Sequence, residues 1–186
     1  MGIVLEGLHL KSDVAVYELS AHGALFKYLK RKFKNITYSE YFDNIPPGTL
    51  HRGINCQDVQ RLTFQDESFS LITSTEVFEH VENDKMGFIE VNRVLKTGGY
   101  FVFTVPLSMS EKTVERAILA NGEIKHLMPP TYGGDHLRKD GVLDFRNYGM
   151  DIKDKLIRAN FKKVEIREVR NMHHLIPCKH VIIAEK

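Results

Sequence analysis

Residues 58–106 read DVQRLTFQDESFSLITSTEVFEHVENDKMGFIEVNRVLKTGGYFVFTVP. Within them, Ser68 to Ser74 is apolar enough to lie inside a sheet covered on both faces. The segment Glu82 to Leu95 then sets Phe88, Val91, Val94 and Leu95 at i, i+3, i+6 and i+7, which is one face of a helix. Gly98 and Gly99 stop that helix. Tyr100 to Val105 follows as the most strand-like stretch of the chain. A buried strand, an amphipathic helix and a second buried strand in succession describe neighbours in a largely parallel sheet.

The same alternation extends in both directions. Upstream, Val14 to Leu19 reads as a first strand. Gly23 to Phe33 reads as a helix, with Leu25, Phe26, Leu29 and Phe33 on one face and Lys27, Lys30 and Arg31 on the other. Asn35 to Tyr41 is a second strand, and after the Pro46-Pro47-Gly48 turn a short strand covers Gly53 to Cys56. Downstream, Ser108 to Tyr148 breaks the rhythm: it mixes a helical segment, Glu111 to Ala120, with Pro129, Pro130, Gly133 and Gly134. A helix carrying Ile152, Leu156 and Ala159 and strands at Val164 to Val169 and Val181 to Glu185 complete the chain. The expectation is an α/β fold with a Rossmann-like, seven-stranded, mostly parallel sheet and helices on both faces. It forms one domain over residues 1–186, with an insertion at about 108–148 covering the substrate side.

The composition narrows the function. A chain of 186 residues, 42% hydrophobic and 27% charged, is that of a globular protein able to build its own core. With 26 basic against 24 acidic side chains it lacks the one-sided charge of a dedicated nucleic-acid binder. Lys27, Lys30, Arg31, Lys32 and Lys34 read as a solvated helix face. No apolar run approaches the ~20 residues of a membrane span, and no export signal is visible. Cys56 and Cys178 lie far apart with no CxxC near either, which points to a reducing cytoplasm. His173, His174, Cys178 and His180 fit no standard metal spacing and read as a loop entering an edge strand, so no metal ligands are assigned. GxxxxGK[ST] and GxSxG are absent, which removes phosphoryl transfer and α/β-hydrolase chemistry.

In an open parallel sheet, ligands collect at the carboxyl ends of the strands, and here those ends are polar. Strand one ends at Glu18 and runs into Ser20, Ala21, His22 and Gly23. Strand two ends at Glu40, 22 residues beyond Glu18, and Asp58 follows 18 residues later. The fourth strand ends in Thr73, Ser74, Thr75 and Glu76. A carboxylate at the end of the second strand is placed to accept hydrogen bonds from a ribose diol. Acids on successive strand ends suit a nucleoside with several donors and would repel a bare phosphate.

As a whole the arrangement resembles the class I S-adenosylmethionine-dependent methyltransferases, in particular the small methyltransferase-domain family typified by ubiquinone and menaquinone biosynthesis enzymes. Residues 58–106 carry the resemblance, from Asp58 through the EHV motif (Glu79, His80, Val81) to the Arg93-Val94-Leu95-Lys96-Thr97-Gly98-Gly99 turn. The resemblance implies S-adenosyl-L-methionine as cofactor and transfer of its methyl group to a small-molecule acceptor. It implies that Glu18 and the turn Ser20, His22, Gly23 meet the methionine portion, and that Glu40, with Tyr41 beside it, meets the ribose. It further implies that Asp58 and Val59 meet the adenine, and that Thr75 and Glu76 form the floor beneath the sulfonium. Where the family's first turn reads E-x-G-x-G-x-G, this chain reads Glu18-Leu19-Ser20-Ala21-His22-Gly23-Ala24, and about a dozen residues precede the first strand. Candidates for a base that deprotonates the acceptor are His80, and His126, Tyr132, Asp135 and His136 in the insertion. Two alternatives differ in class: a non-catalytic binding or scaffold module, and a nicotinamide-dependent oxidoreductase, for which the turn lacks the glycine fingerprint.

Overall fold

Alternating burial along each strand splits the core into two layers. The computed structural model describes residues 1–171 and 176–186. In chain order it contains α1 (Gly2–Gly7), β1 (Ala15–Glu18), α2 (Gly23–Lys32), β2 (Asn35–Glu40), β3 (Leu50–His51), β4 (Ile54–Cys56), β5 (Phe69–Thr75), α3 (Asp84–Val94) and β6 (Leu95–Thr104). A single 3-10 turn, Phe78–His80, precedes α3. Short strands follow at β7 (Val114–Glu115), β8 (Ala117–Ala120), β9 (Glu123–His126), β10 (Tyr132–Gly133), β11 (Val142–Leu143) and β12 (Arg146–Asn147). The chain closes with α4 (Ile152–Arg158), β13 (Lys163–Asn171) and β14 (Ile176–Glu185).

The main sheet runs β13-β14-β6-β5-β1-β2-β4-β3. The strands from β6 through β4 are parallel, and the outer ones are antiparallel. From β1 the chain first winds toward β2 and β4, then returns to β5 on the opposite side and continues to β6. The strand order therefore reverses between β1 and β5, and the crevice beyond their carboxyl ends is where such a sheet holds a ligand.

Side chains at successive strand positions point to opposite faces. Val16, Leu71, Val102, Val181 and Ile183 pack with Val4, Leu5, Leu29 and Phe33, so α1 and α2 cover one face. Tyr17, Ile72, Phe101, Phe103, Ile182 and Ala184 pack with Phe88, Val91, Ile152 and Leu156, so α3 and α4 cover the other. Phe101 and Phe103, two apart on one face, stack at 4.2 Å, and Phe78 stacks on Phe88 at 4.6 Å.

Three expectations are corrected. The sheet has eight strands, because Arg52 (φ 52) and Gly53 (φ 79) form a two-residue left-handed turn that pairs His51 with Ile54 and adds β3. The helix expected over Glu111 to Ala120 does not form. Asn121 (φ 53) and Gly122 (φ 81) instead turn β8 back on β9, an Asn-Gly hairpin whose local preference outweighs the helical pattern. A short helix, α1, stands where none was expected, held by the burial of Val4 and Leu5. His173 and His174 lie outside the described residues, as does the side chain of Cys178. Among the described residues no helix is long and apolar enough to cross a membrane.

Candidate active site at the strand ends

The turn after β1 is built on a buried acid. Glu18 is 1% exposed; its carboxylate accepts hydrogen bonds from the Thr73 hydroxyl on the adjacent β5 and from the Ser20 amide. Burial pushes the Glu18 carboxyl up to about 8, with the nearby Glu40 charge adding to the rise and the Thr73 bond opposing it. Glu18 thus lies beneath the turn and shapes it.

One oxygen of Glu40, at the end of β2, gathers the turn. Its Oε1 accepts from Ala21 N at 2.7 Å and Ser20 Oγ at 3.0 Å, and His22 Nδ1 lies 3.1 Å away. His136 reaches the same oxygen from the insertion, with Nε2 at 3.7 Å, and its ring sits 3.8 Å from that of His22. Ser20 and His22 therefore contribute side-chain contacts in a turn that the family pattern fills with glycines. Gly23 has φ +85, a conformation that favours glycine, and opens α2, whose N-cap residue His22 makes no side-chain capping bond. The first amides of α2 are thereby available to an anionic group. Beside the turn, an open groove of about 520 Å³ runs along α2 past Phe26, Lys27, Lys30 and Arg31.

The 108–148 segment is strapped to the end of β2. Arg138 Nε donates to Asp43 Oδ2 at 2.7 Å, Nη2 donates to the Tyr41 carbonyl, Nη1 donates to Asp135, and the guanidinium lies over the Tyr41 ring. These carboxylates raise the Arg138 pKa. Burial works against ionisation of Asp135, but the Leu137 amide and Arg138 together hold its carboxyl below the usual range. Tyr41 is half exposed, and its hydroxyl is pushed up by partial burial and by the charges of Asp58, Asp43 and Glu82.

Asp58 Oδ1 accepts from the Gln60 amide at 2.9 Å in a local turn after β4. Val59 points into the core with Phe78 and Phe88, leaving only its backbone to meet a ligand. Thr75 is exposed at the end of β5, and Glu76 takes φ +50, a strained conformation of the kind that gathers at functional turns.

His80 stands apart from the Glu40 group. Its Nδ1 lies 3.1 Å from the Leu143 carbonyl and 3.2 Å from Asp144 Oδ1, and Gly133 packs so closely over the ring that a methyl group there would overlap it. Tyr132 is exposed on the neighbouring hairpin strand β10, and His126 is exposed on β9. Sequence reasoning missed Asp43, Arg138 and Asp144, because the Arg138–Asp43 pair spans 95 positions and the His80–Asp144 pair 64, beyond any local signal. It also missed Arg146. Itself part of the 108–148 segment and buried, that side chain donates to the carbonyls of Phe78, Val81 and Glu82 and pairs with Glu115.

Strand order, switch-point crevice and terminal acids together define a class I methyltransferase fold. Residues 19–103 match the family model described as "Methyltransferase domain". No curated protein matches it in sequence. The chain is similar in structure to an S-adenosylmethionine-dependent methyltransferase from Mesorhizobium loti, with a TM-score of 0.64, 17% identity, and coverage of 99% of this chain and 96% of the other. It is also similar to the Burkholderia thailandensis 1,6-didemethyltoxoflavin-N1-methyltransferase, solved with bound 1,6-didemethyltoxoflavin and S-adenosylhomocysteine: TM-score 0.60, 14% identity, coverage 98% and 75%. A third similar structure is the [4+2]-cyclase SpnF, with a TM-score of 0.58, 14% identity, and coverage of 100% and 78%. At such identities the likeness shows the fold alone, and one fold hosts several chemistries.

Proposed function

We propose that the protein is an S-adenosyl-L-methionine-dependent methyltransferase acting on a small-molecule acceptor in the cytoplasm. The observation that carries this reading is the placement of Glu40 and Asp58 at successive strand ends beside the switch point of a methyltransferase-family domain. The donor set suits the cofactor. Glu40 would take the ribose hydroxyls and Asp58 the adenine amino group. The uncapped amino end of α2, opened by Gly23, would take the methionine carboxylate. Thr75 and Glu76 would floor the space between. Glu18 acts beneath them, holding the turn in place.

When bound, the cofactor supplies an activated methyl group, so the protein's part is to align the acceptor, exclude water and accept a proton. Alignment alone contributes up to ~7 to 11 kcal/mol. Among the candidate bases, Asp135 is engaged by Arg138, and His136 faces Glu40. His80 is oriented differently: Leu143 O and Asp144 hold a proton on Nδ1, and Nε2, which lies 3.9 Å from Glu79 Oε1 beneath Gly133, is the nitrogen left to accept one. We assign His80 as the general base and Asp144 as the residue that positions it. No observation supports the scaffold alternative.

Titration calorimetry with S-adenosylhomocysteine and with NAD tests the reading. Heat is expected with the first alone, and Glu40→Ala and Asp58→Ala are each expected to weaken that binding at least about tenfold. Silence with S-adenosylhomocysteine, or unchanged affinity in both variants, would overturn it.

A further inference from the structure

Three residues from distant parts of the chain converge on one point above the sheet edge. His22 comes from the turn after β1, Glu40 from the end of β2 and His136 from the insertion, and one donor atom from each lies within 4.8 Å of the other two. Glu40 is buried, whereas both histidines are exposed. A tetrahedral zinc with Zn–N and Zn–O bonds of about 2.0 to 2.2 Å requires ligand atoms about 3.3 Å apart. His22 Nδ1 and His136 Nε2 already stand 3.1 Å and 3.7 Å from Glu40 Oε1, so closure on an ion needs side-chain shifts and no change of backbone.

The surroundings are those of a ligand set already aimed. Glu40 is fixed in orientation by Ser20 Oγ and Ala21 N. His136 Nδ1 lies 3.6 Å from Asp135 Oδ1, an electrostatic contact longer than a hydrogen bond, while its Nε2 faces Glu40. Two imidazoles and one carboxylate are the donors that divalent first-row ions prefer, and three protein ligands leave a position open for water or another donor.

We propose that His22, Glu40 and His136 form a binding site for a divalent transition ion of the Zn²⁺ class, which fastens the insertion to the ends of β1 and β2. The site shares Glu40 with the ribose contact proposed above, so ion and adenosyl ligand would compete for that carboxylate, and the ion is tested on the cofactor-free protein.

The test is a titration of the cofactor-free protein, purified without a histidine tag, with Zn²⁺ by calorimetry and with Co²⁺ by visible absorption. One equivalent of bound ion is expected, with intense low-coordinate Co²⁺ bands and at least a tenfold loss of affinity in His22→Ala and in His136→Ala. Both side chains are exposed, so the variants should fold, which circular dichroism checks. Zn²⁺ is also expected to slow tryptic cleavage at the exposed Lys139 in wild type and to have no such effect in His136→Ala. Absence of binding would overturn the proposal. So would binding that survives in the His22→Ala/His136→Ala double variant, which would place the ion elsewhere, for example on the histidine tract near residue 173.

Discussion

Replacing Glu18 with Gln isolates an electrostatic conflict built into the fold. Glu18 is enclosed beside Glu40, and its carboxyl titrates at about 8 in place of the ordinary 4.5. At about 1.4 kcal/mol per tenfold change in acidity, ionising it in the folded state costs about 5 kcal/mol more than in the unfolded chain. A group whose pKa is raised on folding contributes its full stabilisation below its unfolded value, and that contribution is lost as pH rises through the folded value. Wild type should therefore lose stability progressively from pH 4.5 to above pH 8 on account of this one residue. Gln keeps the size and the neutral state and cannot ionise. Urea unfolding of both proteins from pH 5 to pH 9 measures the difference, from which contributions common to both, such as the histidines, cancel. The two should agree within about 1 kcal/mol at pH 5, and the variant should be the more stable by several kcal/mol at pH 9. Parallel stability profiles across that range would refute the buried, neutral Glu18.

Other substitutions probe the attachment of the insertion. Arg146→Met leaves the Phe78, Val81 and Glu82 carbonyls and part of the Asp84–Glu115 charge uncompensated in the interior, and should cost about 3 to 5 kcal/mol in chemical denaturation; a loss under 1 kcal/mol would contradict its anchoring role. Gly133→Ala drives a methyl group into the His80 ring and should destabilise by about 1 to 3 kcal/mol, read as a lower melting temperature, whereas an unchanged melting temperature would show that the hairpin does not press on His80. If His80 is the base, His80→Ala should lower kcat at least about a hundredfold while leaving S-adenosylhomocysteine affinity within about threefold, with Asp144→Asn lowering kcat less; equal loss of binding and turnover would make His80 structural.

The central sheet was legible because its signals are local. The solid apolar run ending at Thr73 and the helix face of Phe88, Val91 and Val94 are each readable within a dozen residues, and both sit where expected. Glu40 and Asp58 could be placed at strand ends by spacing alone. What escaped depended either on turn chemistry or on distance. The Arg52-Gly53 and Asn121-Gly122 turns convert neighbouring residues to strands, and overlooking them lost β3 and put a helix where β8 lies. The insertion's grip on the sheet, through Arg138, His136 and Arg146, joins residues 60 to 100 positions apart that no periodicity links. The burial of the Val59 side chain beside Phe78 follows from apolar packing around α3 and was not readable from its neighbours in sequence.

The claim on which the functional account rests is that the crevice beyond β1 and β5 receives an adenosyl group. A crystal structure of the protein soaked with S-adenosylhomocysteine tests it most directly. The account predicts density with the ribose hydroxyls within hydrogen-bond distance of Glu40 and the adenine amino group at Asp58. A crevice left closed by Ser20, His22 and His136 at saturating ligand, or the ligand seated away from these two carboxylates, would contradict it.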